Sequence, residues 1–304
     1  MGQARGRLVV IGGEERRATP EPAVLTRLAF YAGGANGRIT VLSPELPPGV
    51  RGALTWRRLL RAVGVADVQA VTLKGREAAS SPELLARLAC SSGLVLVGHD
   101  PEQLVALLSG TPVAEAVRAA FGRGACVAGV GAGAAALASH VVGPGTWMPP
   151  AEEQADEAGS TLDVHPRAGL VGLSPGLGLF NRLVVDHHFC EKQRLGRLAT
   201  MAATAPEALG VGVDAGTALV IAPGRGVEVV GRGAVTIFDG SGLSHSSLPT
   251  AGPGQTLALC HVGLSLLPAG FSFRWKRGGE GAMADGTAVP PRLEGLMAAL
   301  ASAS

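Results

Sequence analysis

Apolar runs alternate with amphipathic segments through the first 130 residues of the chain. Continuous apolar runs predict buried strands at 7–11, 38–42, 68–73, 94–97 and 125–128. Between these runs, apolar residues recur at helical spacing over 20–32, 54–63, 82–89, 102–108 and 112–121. Strands that alternate with helices of this length are joined by crossovers. The pattern therefore predicts an α/β fold with a mostly parallel, doubly wound sheet that helices cover on both faces.

The second half of the chain is less regular and predicts short strands. A strand is expected at 182–185, a helix at 192–203, and a hairpin-like turn at 214–216 between runs 209–213 and 217–221. Further short antiparallel strands are expected at 227–230, 234–238, 256–262 and 265–267, and a surface loop at 142–160. No sharp boundary divides these segments. We predict one α/β domain over 1–275, followed by a Gly-rich linker and a short C-terminal helix within 276–304.

Composition supports a folded core and gives no sign of a charged partner. Hydrophobic residues make up 47% of the chain and charged residues 16%, which argues against disorder. A net charge of +2 provides no electrostatic footprint for nucleic acid or an anionic membrane. The N-terminal apolar run is too short for a signal peptide, and no run of about 18 apolar residues occurs. We expect a cytoplasmic protein with no nucleic-acid and no membrane partner.

The cysteines and acidic residues give no metal signature. Cys90, Cys126, Cys190 and Cys260 are far apart and lack C-x-x-C spacing, which argues against zinc and against a disulfide framework. The acidic run at 152–157 also lacks metal-ligand spacing. We therefore expect no metal and no cofactor.

The stretch from Gly129 to Gly133, GVGAG, is the centre of the functional argument. It follows an apolar strand and precedes an alanine-rich segment, so it predicts a strand, a sharp turn and a helix. In α/β hydrolases this turn is the nucleophile elbow, G-x-S-x-G, whose serine is held at strained backbone angles. Here Gly131 occupies the central position, and glycine accepts a positive φ freely.

Collinear segments along the chain carry a family resemblance. They are GRLVVIGG from 6, GHDP from 98, GTPVAEAVR from 110, GVGAGAAAL from 129, GLGLF from 176, VDHHF from 185, RLGRL from 194 and GVGVDAGTALVI from 210. With these segments the chain resembles cyanophycinases, in the serine peptidase family that includes aspartyl dipeptidase. The resemblance implies a three-layer αβα fold of the class I glutamine amidotransferase type, with C-terminal antiparallel strands. It also implies a homodimer and an ancestral activity on β-aspartyl peptides such as cyanophycin.

The resemblance places a catalytic triad on three positions, of which one retains its side chain. The nucleophile maps to Gly131, the general base to His188 and the acid that orients the base to Ala215. A triad works because the base takes the nucleophile's proton while the carboxylate stabilises the imidazolium. Serine and glutamate are both missing, so His188 is a relict base.

Substrate-contact positions implied by the resemblance are partly kept. The backbone oxyanion donors map to Ala132 and His99, and Pro101 replaces a glutamine. Further contacts map to Asp186, to His187 in place of a second glutamine, and to the basic residues Lys192, Arg194 and Arg197. The basic residues are interpreted either as a retained anion or peptide site or as a solvated helix face.

Cys190 is a further candidate nucleophile. If the strand continued beyond His188, residues two apart would share a face and bring the thiol near the imidazole.

Three functions follow as hypotheses. The favoured one is a cyanophycinase-like pseudoenzyme that binds a peptide, an amino-acid ligand or an active paralogue, since triad removal costs roughly 10⁶-fold in turnover. The alternative is an active hydrolase of β-aspartyl peptides with an unorthodox nucleophile or water and His188 as base. The third is an oligomerisation partner without a ligand.

Overall fold

A computed structural model describes residues 6–13, 21–148, 165–276, 281–283, 286–287, 289 and 291–302. A nine-stranded sheet forms its centre. In spatial order the strands are β17 (Gly281–Met283), β16 (Ser272–Trp275), β11 (Gly226–Gly231), β10 (Thr217–Ala222), β1 (Leu8–Ile11), β5 (Cys126–Gly131), β4 (Gly93–Gly98), β2 (Arg38–Pro44) and β3 (Asp67–Leu73). The five strands from β1 to β3 run parallel, and each pairing from β1 to β17 is antiparallel.

Helices cover both faces of the parallel half. They are α1 (Pro22–Tyr31), α2 (Ala53–Ala62), α3 (Pro82–Ala89), α4 (Pro101–Leu108), α5 (Pro112–Gly122) and α6 (Ala132–Leu137). Val9 and Ile11 of β1 share a buried cluster with α1 and α2, whereas Leu8 and Val10 share another with α3 to α6. Successive residues of a strand point to opposite faces, so the two clusters lie on opposite sides of the sheet. The predicted fold class is confirmed.

A second, six-stranded sheet lies beside the first and was not predicted. Its order is β15 (Gly263–Pro268), β12 (Ala234–Asp239), β9 (Leu209–Val213), β8 (Leu183–His187), β6 (His140–Pro144) and β7 (Val171–Pro175). Helix α7 (Leu195–Thr204) covers one face through Leu198 and Met201, which pack in a cluster with Val184 and Phe238.

Three local expectations differ from the structure. Residues 142–144 belong to β6, where a loop was expected, and residues 149–160 of that loop lie outside the described part of the chain. The turn at 214–216 is not a hairpin, because β9 and β10 belong to different sheets. The strand expected at 256–262 reduces to β14 (Leu259–Cys260), which pairs with β13 (His245–Ser246).

The C-terminal segment is part of the folded core. Gly281–Met283 form the edge strand β17, where a linker was expected, because Phe273 and Trp275 of β16 pair with them. Helix α8 (Pro291–Ser302) buries Met297 and Leu300 in the main cluster. The proposed division at residue 275 stays a prediction.

Among the described helices, none is by itself long and apolar enough to cross a membrane. Helices α4 and α5 reach the required length and composition only as a pair, and that pair is bent by 98°.

Candidate active site

The elbow lies at the carboxyl end of β5, near the middle of the nine-stranded sheet. Gly131 is the last residue of β5 and has φ 56° and ψ −120°, and α6 begins at Ala132. This left-handed region costs a residue with a side chain roughly 1–3 kcal/mol. The structure thus has the backbone geometry of a nucleophile elbow, at a residue that carries no side chain.

The three glycines of the elbow are required for different reasons. A Cβ on Gly129 would overlap with the backbone of Ala134, and a Cβ on Gly133 would overlap with the carbonyl oxygen of Leu96. At Gly131 the nearest atom to a Cβ would be the Gly98 carbonyl oxygen, at 3.8 Å, which is ordinary van der Waals contact. Packing therefore excludes side chains at 129 and 133, whereas only the positive φ disfavours one at 131.

The predicted oxyanion positions lie on neighbouring strand ends. Gly98 of β4 pairs with Gly131 of β5 in the parallel register, and His99 and Ala132 follow them. His99 is exposed and Ala132 is buried. The sheet register thus brings the two predicted positions to the same edge, and their role stays a prediction.

His187, rather than His188, provides the imidazole atom nearest the nucleophile position. His187 ends β8, and its Nδ1 would be 3.9 Å from a Cβ on Gly131. Among the described residues, His187 Nδ1 is the buried side-chain nitrogen or oxygen with no hydrogen-bond partner. A buried polar atom without a partner is unusual and calls for an explanation.

His188 lies against the turn that follows β1. Its backbone N–H donates to the Gly12 carbonyl at 2.9 Å, and its Nε2 occupies the space that a Cβ on Gly13 would need. Its φ is 49°, a left-handed value that is uncommon outside glycine. Within the described part of the chain, the His188 ring donates no hydrogen bond to a carboxylate, as a triad would require.

Both imidazoles are neutral at pH 7. Burial, together with the smaller effects of the positive charges of Lys192 and Arg194, lowers the pKa of His188 to about 4. Burial also lowers the pKa of His187 well below its usual value, with Arg194 contributing in the same direction.

Position 215, where the resemblance places the acid of the triad, is an alanine. The carboxylate of Glu191 contacts its backbone instead. Ala215 is buried, and its N–H donates to both carboxylate oxygens of Glu191 at 3.1 Å. Asp214 accepts hydrogen bonds from the N–H groups of Cys190 and Ala234. Sequence reasoning missed Glu191, because a carboxylate in an irregular turn gives no periodic signal.

Asp186 organises the basic residues into a buried ion cluster. Its side chain is 3% exposed and pairs with Arg194 and, at 3.1 Å, with Arg197 Nε. Arg194 also donates to the His187 carbonyl, and Arg197 donates to the Val142 carbonyl. Burial alone would raise the pKa of Asp186, but Arg197 and Arg194 hold it below its ordinary value. The interpretation as a solvated helix face is therefore wrong for both arginines, whose role in substrate binding stays a prediction.

Two other sequence candidates have local structural roles. Pro101 is the first residue of α4, and Asp100 before it caps the helix by accepting from the N–H groups of Glu102 and Gln103. The face-sharing argument for Cys190 is wrong, because β8 ends at His187. Burial and the neighbouring Asp214 and Glu191 raise the pKa of Cys190, which disfavours the thiolate.

In the part of the chain that the structure describes, no group of three His, Cys, Asp or Glu side chains is arranged to hold a metal ion.

A strand, glycine elbow and helix on a mixed α/β sheet, with a histidine brought to the elbow from a second strand, define a serine-hydrolase type of scaffold. The model of peptidase family S51 matches residues 53–229. The chain belongs to peptidase family S51, and the resemblance predicted from the sequence is confirmed.

Cyanophycinases match most of the chain. This chain is 31% identical over 268 residues to the cyanophycinase of Trichormus variabilis, and the match covers 88% of this chain and 84% of that protein. Identity to the cyanophycinase of Synechococcus elongatus is also 31%, covering 88% of this chain and 78% of that one. A solved peptidase from an acI-B1 Actinobacterium is similar in fold, with a TM-score of 0.59 at 20% identity over 90% of this chain and 99% of the other.

Proposed function

We propose that this protein is a catalytically inactive member of family S51 that binds a peptide or amino-acid ligand at its former active site. The observation that carries the proposal is Gly131, which has the backbone angles of an elbow and no hydroxyl group. Gly129 and Gly133 keep the close packing around it. The backbone conformation and the packing of a nucleophile elbow are thus both present, but the nucleophile itself is absent.

Two further features oppose covalent catalysis. The buried methyl group of Ala215 leaves the predicted base without its acid, and the pKa of His188 at about 4 makes it a weak base. Loss of the triad costs roughly 10⁶-fold in turnover. Cys190 does not replace the serine, because it is exposed beyond the end of β8 and its pKa is raised.

Positive charge near the histidines supports an anionic ligand. Arg194 and Arg197 pair with the Asp186 carboxylate, and Lys192 and Arg194 both act on the His188 imidazole. The relatives are named cyanophycinases. A β-aspartyl peptide, which carries free carboxylates, is therefore the ligand class that we propose.

The test combines turnover and binding on one preparation. Purified protein is incubated with cyanophycin and with the β-Asp-Arg dipeptide, and dipeptide binding is measured by calorimetry. We expect saturable binding and product release no faster than in the blank. His188→Ala and Cys190→Ala test for alternative catalytic groups, and His245→Ala, at an exposed position on β13, is the control. Turnover that His188→Ala abolishes and His245→Ala retains would overturn the proposal.

A second candidate is a hydrolase in which water replaces the serine. The observation that favours it is the presence of two neutral imidazoles near the elbow, each able to accept a proton. The same assay separates the candidates, since only the hydrolase releases product.

A further inference from the structure

Strand β15 is an unprotected edge of the second sheet. It pairs with β12 over six consecutive positions without a bulge, and within the described residues no strand pairs with its other side. Half of the backbone N–H and C=O groups of such a strand point away from the sheet and are available for pairing, so edges are commonly protected by charges, bulges or prolines. The sequence of β15, GLSLLP, carries no charge, and its proline is at the last position. This edge therefore lacks the usual protection against pairing with another chain.

The edge also exposes two leucines on one face of the sheet. Leu264 is 61% exposed and Leu266 is 66% exposed. Leu264 lies opposite Phe238 of β12, which packs in the cluster that α7 covers, and residues opposite each other or two apart share a face. Leu267 points the other way and is buried in the main cluster. The apolar face under α7 thus continues to the edge of the sheet, where it is uncovered among the described residues.

The spacing of the leucines makes this edge complementary to itself. If two copies pair antiparallel about a two-fold axis that passes through the sheet at Ser265, Leu264 of each copy lies opposite Leu266 of the other. The four leucines then form two cross-strand apolar pairs on one face. Because β15 has no charged residue, the pairing brings no like charges together. A second copy of the chain therefore provides both the backbone groups and the apolar side chains that this edge leaves without partners.

We infer that the protein forms a homodimer through antiparallel pairing of β15 with β15 of a second copy, in the register centred on Ser265. The pairing joins the two six-stranded sheets into one continuous sheet. A standard interface uses about 20–30 residues on each side, which is more than a six-residue edge provides. We therefore expect a reversible dimer with a Kd of about 1–100 µM.

Sedimentation velocity of the full chain at increasing concentration measures the association. We expect the sedimentation coefficient to rise from that of a monomer to that of a dimer. Leu264→Lys combined with Leu266→Lys places lysines opposite each other across the axis, and we expect the Kd to rise at least about tenfold because like charges directly opposite destabilise a strand pair. Phe30→Lys is the matched control, since Phe30 is 67% exposed on α1, and it should dimerise as the wild type does.

Hydrogen–deuterium exchange of the wild type locates the interface without a substitution. Amides of residues 263–267 should exchange at least about threefold more slowly at the highest protein concentration than at the lowest, because paired amides are protected. A monomer at every concentration overturns the inference, as does a dimer in which exchange at 263–267 is unchanged. A dimer that the double lysine variant retains, or that Phe30→Lys weakens equally, also overturns it. If the double variant fails to fold, the exchange measurement decides alone.

Discussion

The carboxyl ends of β5 and β8 form two sides of the same candidate site. The end of β5 contributes a backbone conformation, whereas the end of β8 contributes charged and imidazole side chains. At the end of β5 the backbone geometry of an elbow persists, with glycine at 129, 131 and 133 and no reactive side chain. At the end of β8 the side chains persist: Asp186, His187 and His188, with arginines paired to the carboxylate.

The contrast is explained by what each position does for folding. Asp186 holds Arg194 and Arg197, and Arg197 also reaches the carbonyl of Val142, so this cluster connects β8, α7 and β6. Gly129 and Gly133 allow α6 to approach the sheet. Position 131 supports neither kind of contact. Glycine at this position therefore leaves both sets of contacts intact.

The largest expected effect is at the β8 end. Asp186→Ala leaves two largely buried arginines without their carboxylate, and we expect a loss of about 3–5 kcal/mol in the free energy of unfolding. Chemical denaturation measures it. Asp67→Ala is a matched control, because Asp67 also pairs with two arginines but is 47% exposed, and a loss of about 1 kcal/mol or less is expected there. Equal losses would contradict a special role for the buried cluster.

The next effect tests packing at the β5 end. Gly133→Ala places a methyl group against the Leu96 carbonyl oxygen, and we expect a loss of about 3 kcal/mol. Gly131→Ala meets no such overlap and is expected to lose about 1–2 kcal/mol through backbone strain alone. Thermal and urea unfolding of both variants measures the difference. A Gly131→Ala loss as large as that of Gly133→Ala would show that position 131 is also constrained by packing.

The β8 end also predicts a pH dependence. The pKa of His188 is about 4 in the folded state and about 6.5 when unfolded, so the unfolded state binds more protons between these values. Its contribution to stability is complete above pH 6.5 and is lost as the pH falls towards 4. We expect it to account for about 1–2 kcal/mol between pH 7 and pH 5. His188→Gln should flatten this part of the profile, whereas His245→Gln should not; an unchanged profile in His188→Gln would rule out this histidine as the source.

The smallest effect connects the two ends. Gly131→Ser has the same strain as Gly131→Ala but adds a hydroxyl that can donate to His187 Nδ1. We therefore expect the serine variant to be more stable than the alanine variant by about 1 kcal/mol. In a His187→Ala background this difference should disappear. A difference that persists there would mean that the hydroxyl pairs with another group.

Sequence patterns predicted the first half of the fold well, because its buried strands and capped helices have strong periodic signals. In the structure, Ser81, Asp100 and Thr111, each before a proline, cap helices by accepting hydrogen bonds from backbone N–H groups. Strands of the second sheet were predicted at 182–185, 209–213, 234–238 and 265–267, but their assembly into one sheet was not. Strands β8 and β9, for example, pair across an intervening helix, which local patterns do not reveal.

The site was predicted as a set of positions but not as a set of contacts. Family resemblance located Gly131, His188 and Ala215. It did not indicate that His187 Nδ1 faces the elbow, or that Arg194 and Arg197 both pair with Asp186, since such contacts depend on side-chain direction at a strand end. Glu191 bonds to Ala215 across 24 residues of chain, and no spacing rule identifies that pair.

Under the proposed loss of catalysis, the Glu191–Ala215 contact opposes a return to hydrolysis. A glutamate restored at position 215 would bring a second carboxylate close to the one that already bonds to the backbone there. Like charges at short range oppose ionisation, so the restored acid would be held in its protonated, unproductive form until Glu191 moved or changed. On that proposal, we expect serine at 131 and glutamate at 215 to restore hydrolysis only together with a change at 191.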